Sequence, residues 1–353
     1  PTGDPFPVAE DVSYNPVPSA ASLSVSANGV LAYRTGIRSE LTELVWFDRT
    51  GKRLGVVGER IDQTNVQLSP DGTRVAVSEW DPTRDARDIA IYDLTQNGAL
   101  RNFTHDPADD FQVVWSPDGP SVIFNSSRQG QLDVYRRPSG GGREELLLDD
   151  ARNNVYPTSL SSDGRFLVYH TGIAASATNN DLWVLPLYGD RTPISVAQTS
   201  ASEVAGQFSP DGRWIAYQAN EFGQFSVVVV PFAAPGQTSG TNTPPAARGD
   251  RVRVSTAAGL KPRWRGGGKE VFYSQTQRLV VAEVNGEGPE FRVGAVRQLF
   301  DVRRRTATVR GWGPQFNWDV SADGQRFLVN TATETLVPPP ATVILNWTAS
   351  LRR

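Results

Sequence analysis

The side chains that most often form zinc sites or activated nucleophiles are few in this chain, and they are scattered. The sequence has 353 residues, two histidines and no cysteine. His105 and His170 lie far apart in the chain, each beside a threonine. A zinc site or an activated nucleophile needs several such groups to converge. We interpret both histidines as solvated or hydrogen-bonded residues at strand edges, and we predict no catalytic residue, no metal site and no cofactor.

Other polar segments resemble functional motifs without completing them. Gly266-Gly267-Gly268-Lys269 lacks the first glycine of a phosphate-binding loop, and Glu270 occupies the place of its Ser or Thr. No GxSxG nucleophile motif occurs. The pairs Asp109-Asp110 and Asp149-Asp150 do not have the spacing of a calcium loop. We interpret the first segment as a hairpin turn and the acidic pairs as solvated loops.

Five aspartates recur at one position of a repeated tetrapeptide. The copies are SANG at Ser26, SPDG at Ser69, Ser116 and Ser209, SSDG at Ser161 and SADG at Ser321, with RGGG at Arg265 as a degenerate copy. The aspartates are Asp71, Asp118, Asp163, Asp211 and Asp323. Asp-Gly and Asn-Gly favour tight hairpins, in which the backbone adopts positive φ. Because the position is the same in every copy, we assign these aspartates to turn structure.

The tetrapeptides divide the chain into seven similar units. Successive copies lie 43 to 56 residues apart, a period typical of propeller blades or solenoids. Four short runs rich in β-branched and aromatic residues fill each of the first six units, which favours four strands, a to d. We predict an all-β fold, a seven-bladed β-propeller of four-stranded antiparallel blades. It forms a single domain over residues 1–353, with blade anchors at 26, 69, 116, 161, 209, 265 and 321. A β-sandwich, the alternative, would not require the same turn in every unit.

The last unit contains only three strand-like runs, at residues 316–320, 326–330 and 342–347. The N-terminus carries a further strand-like run, residues 5–10, that belongs to no unit. We therefore predict that residues 1–12 close the ring by completing the last blade.

The candidate ligand site comes from strand a, the innermost strand of a blade. Two residues before each turn stand Ser24, Gln67, Val114, Ser159, Gln207, Arg263 and Asp319. This mostly polar row suits a wet central channel. Together with the loops that precede strand a, it gives the predicted ligand-binding residues Gln67, Gln112, Tyr156, Gln207, Arg263 and Asp319. Arg263 and Asp319 fall in adjacent blades, where a structural ion pair is favoured over direct ligand binding, although both remain open.

The tetrapeptide and the residues around it resemble a known type of repeat. In several units SPDG is followed by a β-branched and aromatic strand, and then by an Asp before the third strand (Asp88, Asp133, Asp181). This pattern resembles the WD40-like PD40 repeats of TolB-type propellers. This resemblance covers nearly the whole chain from about Ser22. The Trp-Asp signature of WD40 repeats is not at its usual place, because Trp318-Asp319 lies on strand a.

A narrower resemblance comes from the segments VLAYRTG, LVWFDRTGKRLG and ATVILNWTASLRR. They are similar to the C-terminal propellers of bacterial membrane-anchored Ser/Thr kinases. The resemblance implies an upstream kinase domain and membrane span, although the chain itself has no kinase motif.

The composition of the chain limits the classes of partner that we expect it to bind. A net charge of −3 gives no reason to expect nucleic acid. The longest apolar run, residues 227–230, is too short to cross a bilayer, so we predict no membrane span in this chain. The chain has no Met, even at position 1, which indicates a processed or trimmed product.

We expect a non-catalytic interaction or sensor propeller that binds a protein, peptide or glycan outside the cytoplasm, in the periplasm or the extracellular space. Two alternatives remain. In the first, the chain would be a structural subunit of an extracellular polymer that self-associates by donation of its N-terminal strand. In the second, it would be the accessory propeller of an enzyme whose catalytic domain lies elsewhere.

Overall fold

The structure of the chain is a computed structural model that describes residues 12, 14–15, 20–21, 23–33, 41–96, 98–172, 180–221, 223–234, 251–302, 316–332 and 341–347. The strands, in chain order, are β1 (Tyr14–Asn15), β2 (Ala20–Ala21), β3 (Leu23–Val25), β4 (Val30–Tyr33), β5 (Thr42–Asp48), β6 (Arg53–Ile61), β7 (Gln63–Leu68), β8 (Arg74–Asp81), β9 (Ala86–Asp93), β10 (Ala99–Asn102), β11 (Asp110–Trp115), β12 (Ser121–Ser126), β13 (Asp133–Pro138), β14 (Glu145–Leu148), β15 (Asn154–Leu160), β16 (Phe166–Gly172), β17 (Leu182–Pro186), β18 (Ile194–Ala197), β19 (Glu203–Phe208), β20 (Trp214–Ala219), β21 (Ser226–Pro231), β22 (Val252–Arg253), β23 (Leu260–Trp264), β24 (Glu270–Gln275), β25 (Arg278–Asn285), β26 (Arg292–Asp301), β27 (Trp318–Val320), β28 (Arg326–Ala332) and β29 (Thr342–Leu345). In this part of the chain no helix is long and apolar enough to cross a membrane.

The chain divides into two compact units. The larger unit, residues 41–306 and 313–333, contains six four-stranded antiparallel sheets. Sheets 1 to 5 each take four consecutive strands: β7–β10, β11–β14, β15–β18, β19–β22 and β23–β26. Sheet 6 has the order β27-β28-β5-β6 and so draws two strands from each end of the unit.

The smaller unit, residues 1–40, 307–312 and 334–353, contains sheet 7 with the order β29-β4-β3, and the two-stranded pair β1-β2. The predicted all-β propeller of four-stranded antiparallel sheets is therefore confirmed. Seven sheets of three or four strands match the seven repeats in number, and six of them lie in the larger unit. The single-domain boundaries over residues 1–353 stay a prediction.

The strand order of the last blade differs from the expected one. The predicted third strand, β29, pairs with β4, with Leu345 opposite Val30. Its expected place beside β28 is taken by β5, with Arg326 opposite Asp48 and Ala332 opposite Thr42. The N-terminal part of the chain thus completes sheet 6, but through residues 42–61. The predicted closing segment, residues 5–10, lies outside the described residues.

Six hydrophobic clusters hold the six sheets together, one between each pair of neighbours. They join sheets 1 and 2, 2 and 3, 3 and 4, 4 and 5, 5 and 6, and 6 and 1. The last of them packs Leu44 and Leu328 of sheet 6 against Val66 and Val75 of sheet 1. Because every sheet buries both faces against neighbours, the six sheets form a closed ring and their strands are apolar on both faces.

The repeated tetrapeptide forms the turn between the first and second strands of each sheet. The amide N–H of each turn glycine donates to the carbonyl of the first residue, at 2.7 to 3.2 Å. Positive φ, between 68° and 83°, is found at these glycines, not at the preceding Asp or Asn as we expected. The aspartate acts through its carboxylate instead. In four turns the serine hydroxyl donates to the carboxylate of Asp71, Asp163, Asp211 or Asp323.

The serine hydroxyl also receives a hydrogen bond from the strand that follows. The N–H of Phe166 donates to Ser161 Oγ at 3.0 Å, and the equivalent bond reaches Ser116 in the turn that contains Asp118. The hydrogen bond that the serine hydroxyl donates to the carboxylate is the largest cause that holds the pKa of Asp71 and Asp323 below the usual value. Serine and aspartate are therefore conformational elements of the turn.

A second polar position recurs nine residues after each tetrapeptide begins. It carries Ser78, Asn125, His170, Gln218, Ser274 and Asn330, all buried. It lies beside a bulge in the first strand, where Asn65, Gln112, Ala205 and Lys261 adopt positive φ in four of the sheets.

Three of these polar side chains bond to the backbone of the next sheet. Asn125 Nδ2 donates to Val155 O at 2.8 Å, Asn330 Nδ2 donates to Gln63 O, and Gln218 Oε1 accepts from Lys261 N at 2.9 Å. A bulge removes backbone groups from their own ladder, and the amide side chains satisfy some of them.

His170 occupies this position in sheet 3 and corrects our interpretation of it. The ring is fully buried, stacks on Tyr156 with centroids 4.8 Å apart, and within the described residues neither nitrogen has a hydrogen-bond partner. Burial alone lowers the pKa of His170 to about 3. His105, by contrast, is exposed.

The Ser161→Ala variant should lower the free energy of unfolding by about 1–2 kcal/mol, because it removes the acceptor of Phe166 N and the donor to Asp163. Ser162→Ala, a change at the exposed neighbouring residue, is the matched control and should cost less than about 0.5 kcal/mol. Chemical denaturation of both variants measures the difference. Equal midpoints would show that the repeated serine does not stabilise the turn.

The His170→Gln variant should reduce the dependence of stability on pH. An unfolded histidine titrates near pH 6.5, whereas folded His170 stays neutral down to about pH 3. The unfolded state therefore binds the extra proton first, and stability is lost as pH falls from about 6.5 towards 3. Denaturation midpoints at pH 7.5 and 4.5 should differ less in the variant than in the parent. His105→Gln is the control and should keep the parent's difference.

Candidate ligand-binding site in the central cavity

A cavity of about 250 Å³ lies where the first strands of the six sheets end. All six residues of the larger unit that stand two positions before a turn line it: Gln67, Val114, Ser159, Gln207, Arg263 and Asp319. The sequence therefore identified the inner row correctly for these positions. Whether the residues bind a ligand stays a prediction.

Asp319 is the acidic group of the cavity, and the backbone of two sheets holds it in place. Its Oδ2 accepts from Leu68 N of sheet 1 at 2.8 Å, and its Oδ1 accepts from Val320 N at 2.9 Å. Arg263 Nε of sheet 5 lies 3.1 Å from Oδ1, so the predicted ion pair is present. Burial raises the pKa of Asp319, while the Arg263 charge and the two N–H donors oppose the rise. The carboxylate therefore joins sheets 5, 6 and 1.

Arg263 is the basic group and is almost completely buried, with 4% of its side chain exposed. Its Nη2 donates to Gln67 Oε1 at 2.8 Å, and its guanidinium lies 3.9 Å from the centroid of the Phe316 ring. Burial lowers the pKa of Arg263, and the Asp319 charge opposes this. Among the described residues neither Nε nor Nη1 makes a hydrogen bond, although Nε lies within ion-pair distance of Asp319.

The residues one position before the turn form the apolar part of the wall: Leu68, Trp115, Leu160, Phe208 and Trp264. Both indoles also connect neighbouring sheets. Trp115 Nε1 donates to Gln67 O at 3.0 Å, and Trp264 Nε1 donates to Gln207 O at 3.1 Å. The Arg74 guanidinium covers the Trp115 ring at 4.8 Å. The aromatic side chains are therefore held by the ring of sheets and have little free face.

Gln207 and Ser159 connect sheets 3 and 4 at the same level. Gln207 Nε2 donates to Thr158 O at 2.7 Å, and Ser159 Oγ accepts from Phe208 N at 3.1 Å. Four of the six predicted ligand-binding residues, Gln67, Gln207, Arg263 and Asp319, therefore lie in one cavity, where each makes a contact between sheets.

Gln112 and Tyr156 do not line this cavity. Gln112 is the bulge residue of sheet 2, with φ of 34°, and is buried. Tyr156 is buried against His170, and burial raises the pKa of its hydroxyl. Tyr156 precedes the bulge of its strand, whereas Gln112 lies within the bulge of its own. A ligand role for them stays a prediction.

The sequence analysis missed the turn residues of the wall: Pro70, Pro117, Ser162 and Pro210. They occupy the second position of the tetrapeptide, so their regular spacing was the signal. We had assigned the tetrapeptide wholly to turn structure.

The acidic pair Asp109-Asp110 is also not the solvated loop that we expected. Asp110 is fully buried, which raises its pKa to about 7. Arg128 Nη2 lies 3.4 Å from Asp110 Oδ1, and Asp109 Oδ1 accepts from Arg87 N at 2.9 Å. The described residues contain no group of three or more His, Asp or Glu side chains placed to hold a metal ion.

Comparison with known proteins agrees with this geometry. The family model of the prolyl oligopeptidase N-terminal β-propeller domain matches residues 58–243, more than half of the chain. The chain belongs to this propeller family. The match begins in β6 and ends within sheet 4, between β21 and β22.

Relatives of the propeller are distant. The chain is 26% identical over 196 residues to an uncharacterized peptidase, YuxL, of Bacillus subtilis, covering 45% of this chain and 30% of the peptidase. It is 26% identical over 196 residues to the WD repeat-containing protein SL1-17 of Schistosoma mansoni, covering 55% of this chain and 56% of that protein. The propeller thus spans about a third to a half of the length of these relatives.

The structure of a putative TolB from Agrobacterium tumefaciens has the same fold. It superposes with a TM-score of 0.60 at 18% identity and covers 84% of this chain and 99% of that one. The predicted TolB-like propeller is therefore confirmed. The narrower resemblance to kinase-associated propellers stays a prediction.

The Asp319→Asn variant should lower the free energy of unfolding by about 3–5 kcal/mol, because it leaves the buried Arg263 charge uncompensated. Asp301→Asn, in the exposed pair with Arg278, is the matched control and should cost less than about 1 kcal/mol. Denaturant titration at neutral pH compares them. A cost for Asp319→Asn no larger than that of the control would show that the buried pair does not hold the sheets together.

Proposed function

We propose that this propeller is a recognition module that binds a peptide segment of another protein in the central cavity. The observation that carries the proposal is the convergence of six equivalent strand positions and four turn positions on one cavity of about 250 Å³. This volume suits one or two side chains with their backbone rather than a whole domain.

The chemistry of the wall favours a peptide over a glycan. Sugar rings stack on exposed aromatic faces, whereas Trp115 is only 5% exposed and carries Arg74 on its ring. The wall instead offers aliphatic groups and prolines, with the half-buried amide of Gln67 and the exposed hydroxyl of Ser162. An apolar side chain with a neighbouring peptide bond matches such a surface.

The proposed role is non-catalytic because the charged pair of the cavity is committed to structure. Asp319 already accepts two backbone hydrogen bonds and faces Arg263. A general acid or base must exchange a proton with a substrate within hydrogen-bond reach. Both carboxylate oxygens of Asp319 contact neighbouring sheets, which favours a structural role over proton exchange with a substrate. We place the module outside the cytoplasm, by analogy with the TolB-type fold.

A second candidate is the accessory propeller of a peptidase. It is favoured by the family match and by the similarity to the YuxL peptidase, of which this chain covers 30%. The genomic sequence flanking this segment discriminates the two, since an adjoining hydrolase domain with a GxSxG motif would support the peptidase. Self-association into a polymer remains the third proposal.

Selection from a displayed library of random seven-residue peptides tests the leading proposal. The parent protein should enrich peptides with a shared apolar residue, and a synthetic copy should bind in isothermal titration calorimetry. Ser162→Trp, which adds bulk to the cavity wall, should weaken binding at least tenfold. Thr192→Trp, at an exposed site outside the wall, is the matched control and should bind as the parent does.

Two outcomes would contradict the peptide proposal. One is the absence of any enriched sequence together with binding on a glycan array, which would favour a carbohydrate ligand. The other is equal affinity of Ser162→Trp and the parent for a selected peptide, which would move the site away from the cavity.

A further inference from the structure

We propose that the central cavity contains a subsite for one secondary amide group, such as a backbone peptide group. In this subsite Gln67 donates a hydrogen bond to the C=O of the ligand, and Gln207 accepts one from its N–H. The subsite belongs to the proposed peptide site and therefore rests on the proposed function. It adds the chemical group that the polar part of the wall recognises.

The backbones of Gln67 and Gln207 are held by equivalent contacts. Each glutamine stands two positions before its turn, in sheet 1 and in sheet 4. The indole of the following sheet donates to its carbonyl, from Trp115 to Gln67 O at 3.0 Å and from Trp264 to Gln207 O at 3.1 Å. The N–H of the next residue donates in both cases to a polar side chain of the preceding sheet. Both side chains therefore project from well-fixed strands.

The amide of Gln67 has one orientation that satisfies its neighbour. Its Oε1 accepts a hydrogen bond from Arg263 Nη2 at 2.8 Å. Because a guanidinium only donates, the oxygen of the amide and not its nitrogen must face Arg263. Gln67 lines the cavity, and within the part of the chain that the structure describes its Nε2 makes no hydrogen bond. Gln67 is therefore the donor of the subsite.

The amide of Gln207 is held in the opposite sense. Its Nε2 donates to Thr158 O at 2.7 Å and to Gly206 O at 3.0 Å. Because carbonyl groups only accept, the nitrogen of the amide must face them. Gln207 also lines the cavity, and its Oε1 makes no hydrogen bond with any described residue. Gln207 is therefore the acceptor of the subsite.

The donor and the acceptor lie on opposite sides of the ring. The clusters between sheets give the order of the ring, in which two sheets separate sheet 1 from sheet 4 in either direction. A peptide group is planar and trans, so its C=O and N–H point in opposite directions. A donor on one wall and an acceptor on the facing wall match the two ends of such a group.

The other polar side chains of the inner row are used within the protein. Asp319 accepts two backbone hydrogen bonds beside Arg263, and Ser159 Oγ accepts from Phe208 N. Val114, in the same row, is apolar. The row of apolar residues beside the glutamines lowers the local dielectric, which strengthens a hydrogen bond to a ligand. The two glutamine amides are thus the polar groups of this row that suit a ligand.

Titration with a small amide tests the subsite separately from peptide selection. The probe is N-isobutylacetamide, which has one secondary amide and one apolar group. Proton–nitrogen correlation spectra of the full chain should show shifts of the Gln67 side-chain resonances, which are identified by their absence from Gln67→Glu. N-isobutyl-N-methylacetamide has no N–H for Gln207 and should bind at least about fivefold more weakly.

The Gln67→Glu variant removes the donor with little change in shape. Its carboxylate keeps an acceptor for Arg263 but presents oxygen to the cavity, so it should bind N-isobutylacetamide at least about tenfold more weakly than the parent. Gln224→Glu, at an exposed residue outside the cavity wall, is the matched control for the added charge and should bind as the parent does. Both variants should keep the denaturation midpoint of the parent, which excludes unfolding as the cause of weaker binding.

Three results would overturn the proposal. The absence of any shift of the Gln67 resonances at the highest soluble probe concentration would show that the cavity does not take an amide. Equal affinity for the two probes would show that Gln207 does not bind the N–H. Equal affinity of Gln67→Glu and the parent for N-isobutylacetamide would show that Gln67 does not donate to the C=O.

Failure of the subsite is distinguishable from failure of the proposed function. A selected peptide that binds in the cavity, without any response to the small amide, would contradict the subsite alone. The expected response to N-isobutylacetamide, without any enriched peptide, would support the subsite and contradict the peptide ligand.

Discussion

The ring depends on the backbone ladder between β28 and β5, which joins the two ends of the larger unit. Seven residue pairs, from Arg326 opposite Asp48 to Ala332 opposite Thr42, connect segments more than 250 residues apart in sequence. Among the described residues, the six clusters pack each sheet against its two neighbours, so an unclosed ring would expose two apolar faces. This long-range pairing must form against a large loop-closure entropy, and the six clusters between sheets offset that cost together once the ring is complete.

Closure also explains why the polar residues of the inner strands recur. The first strands of sheets 1 to 5 carry bulges, which take backbone groups out of the ladder. The amides of Asn125, Gln218 and Asn330 and the carboxylate of Asp319 bond to groups of the neighbouring sheet. A buried polar group without a partner costs about 1–3 kcal/mol. These residues therefore fix the angular position of each sheet, which apolar packing alone leaves less defined.

The sequence predicted the elements whose signals are local. The turn tetrapeptide, the strand runs and the inner row two residues before each turn follow from short patterns, and Gln67, Gln207, Arg263 and Asp319 converge as that row requires. The pairing of β28 with β5 was not predictable in this way. The strands at 42–48 and 342–345 have similar composition, and the choice between them depends on contacts across the whole chain. His170 was misread for a related reason, since its burial depends on the neighbouring sheet and not on its own strand.

The cavity combines rigid walls with a charged pair that is costly to bury. Replacing such a pair by apolar side chains is often neutral for stability, so stability alone does not account for Arg263 and Asp319. The pair does position the backbone of Leu68 and the amide of Gln67, both of which line the cavity.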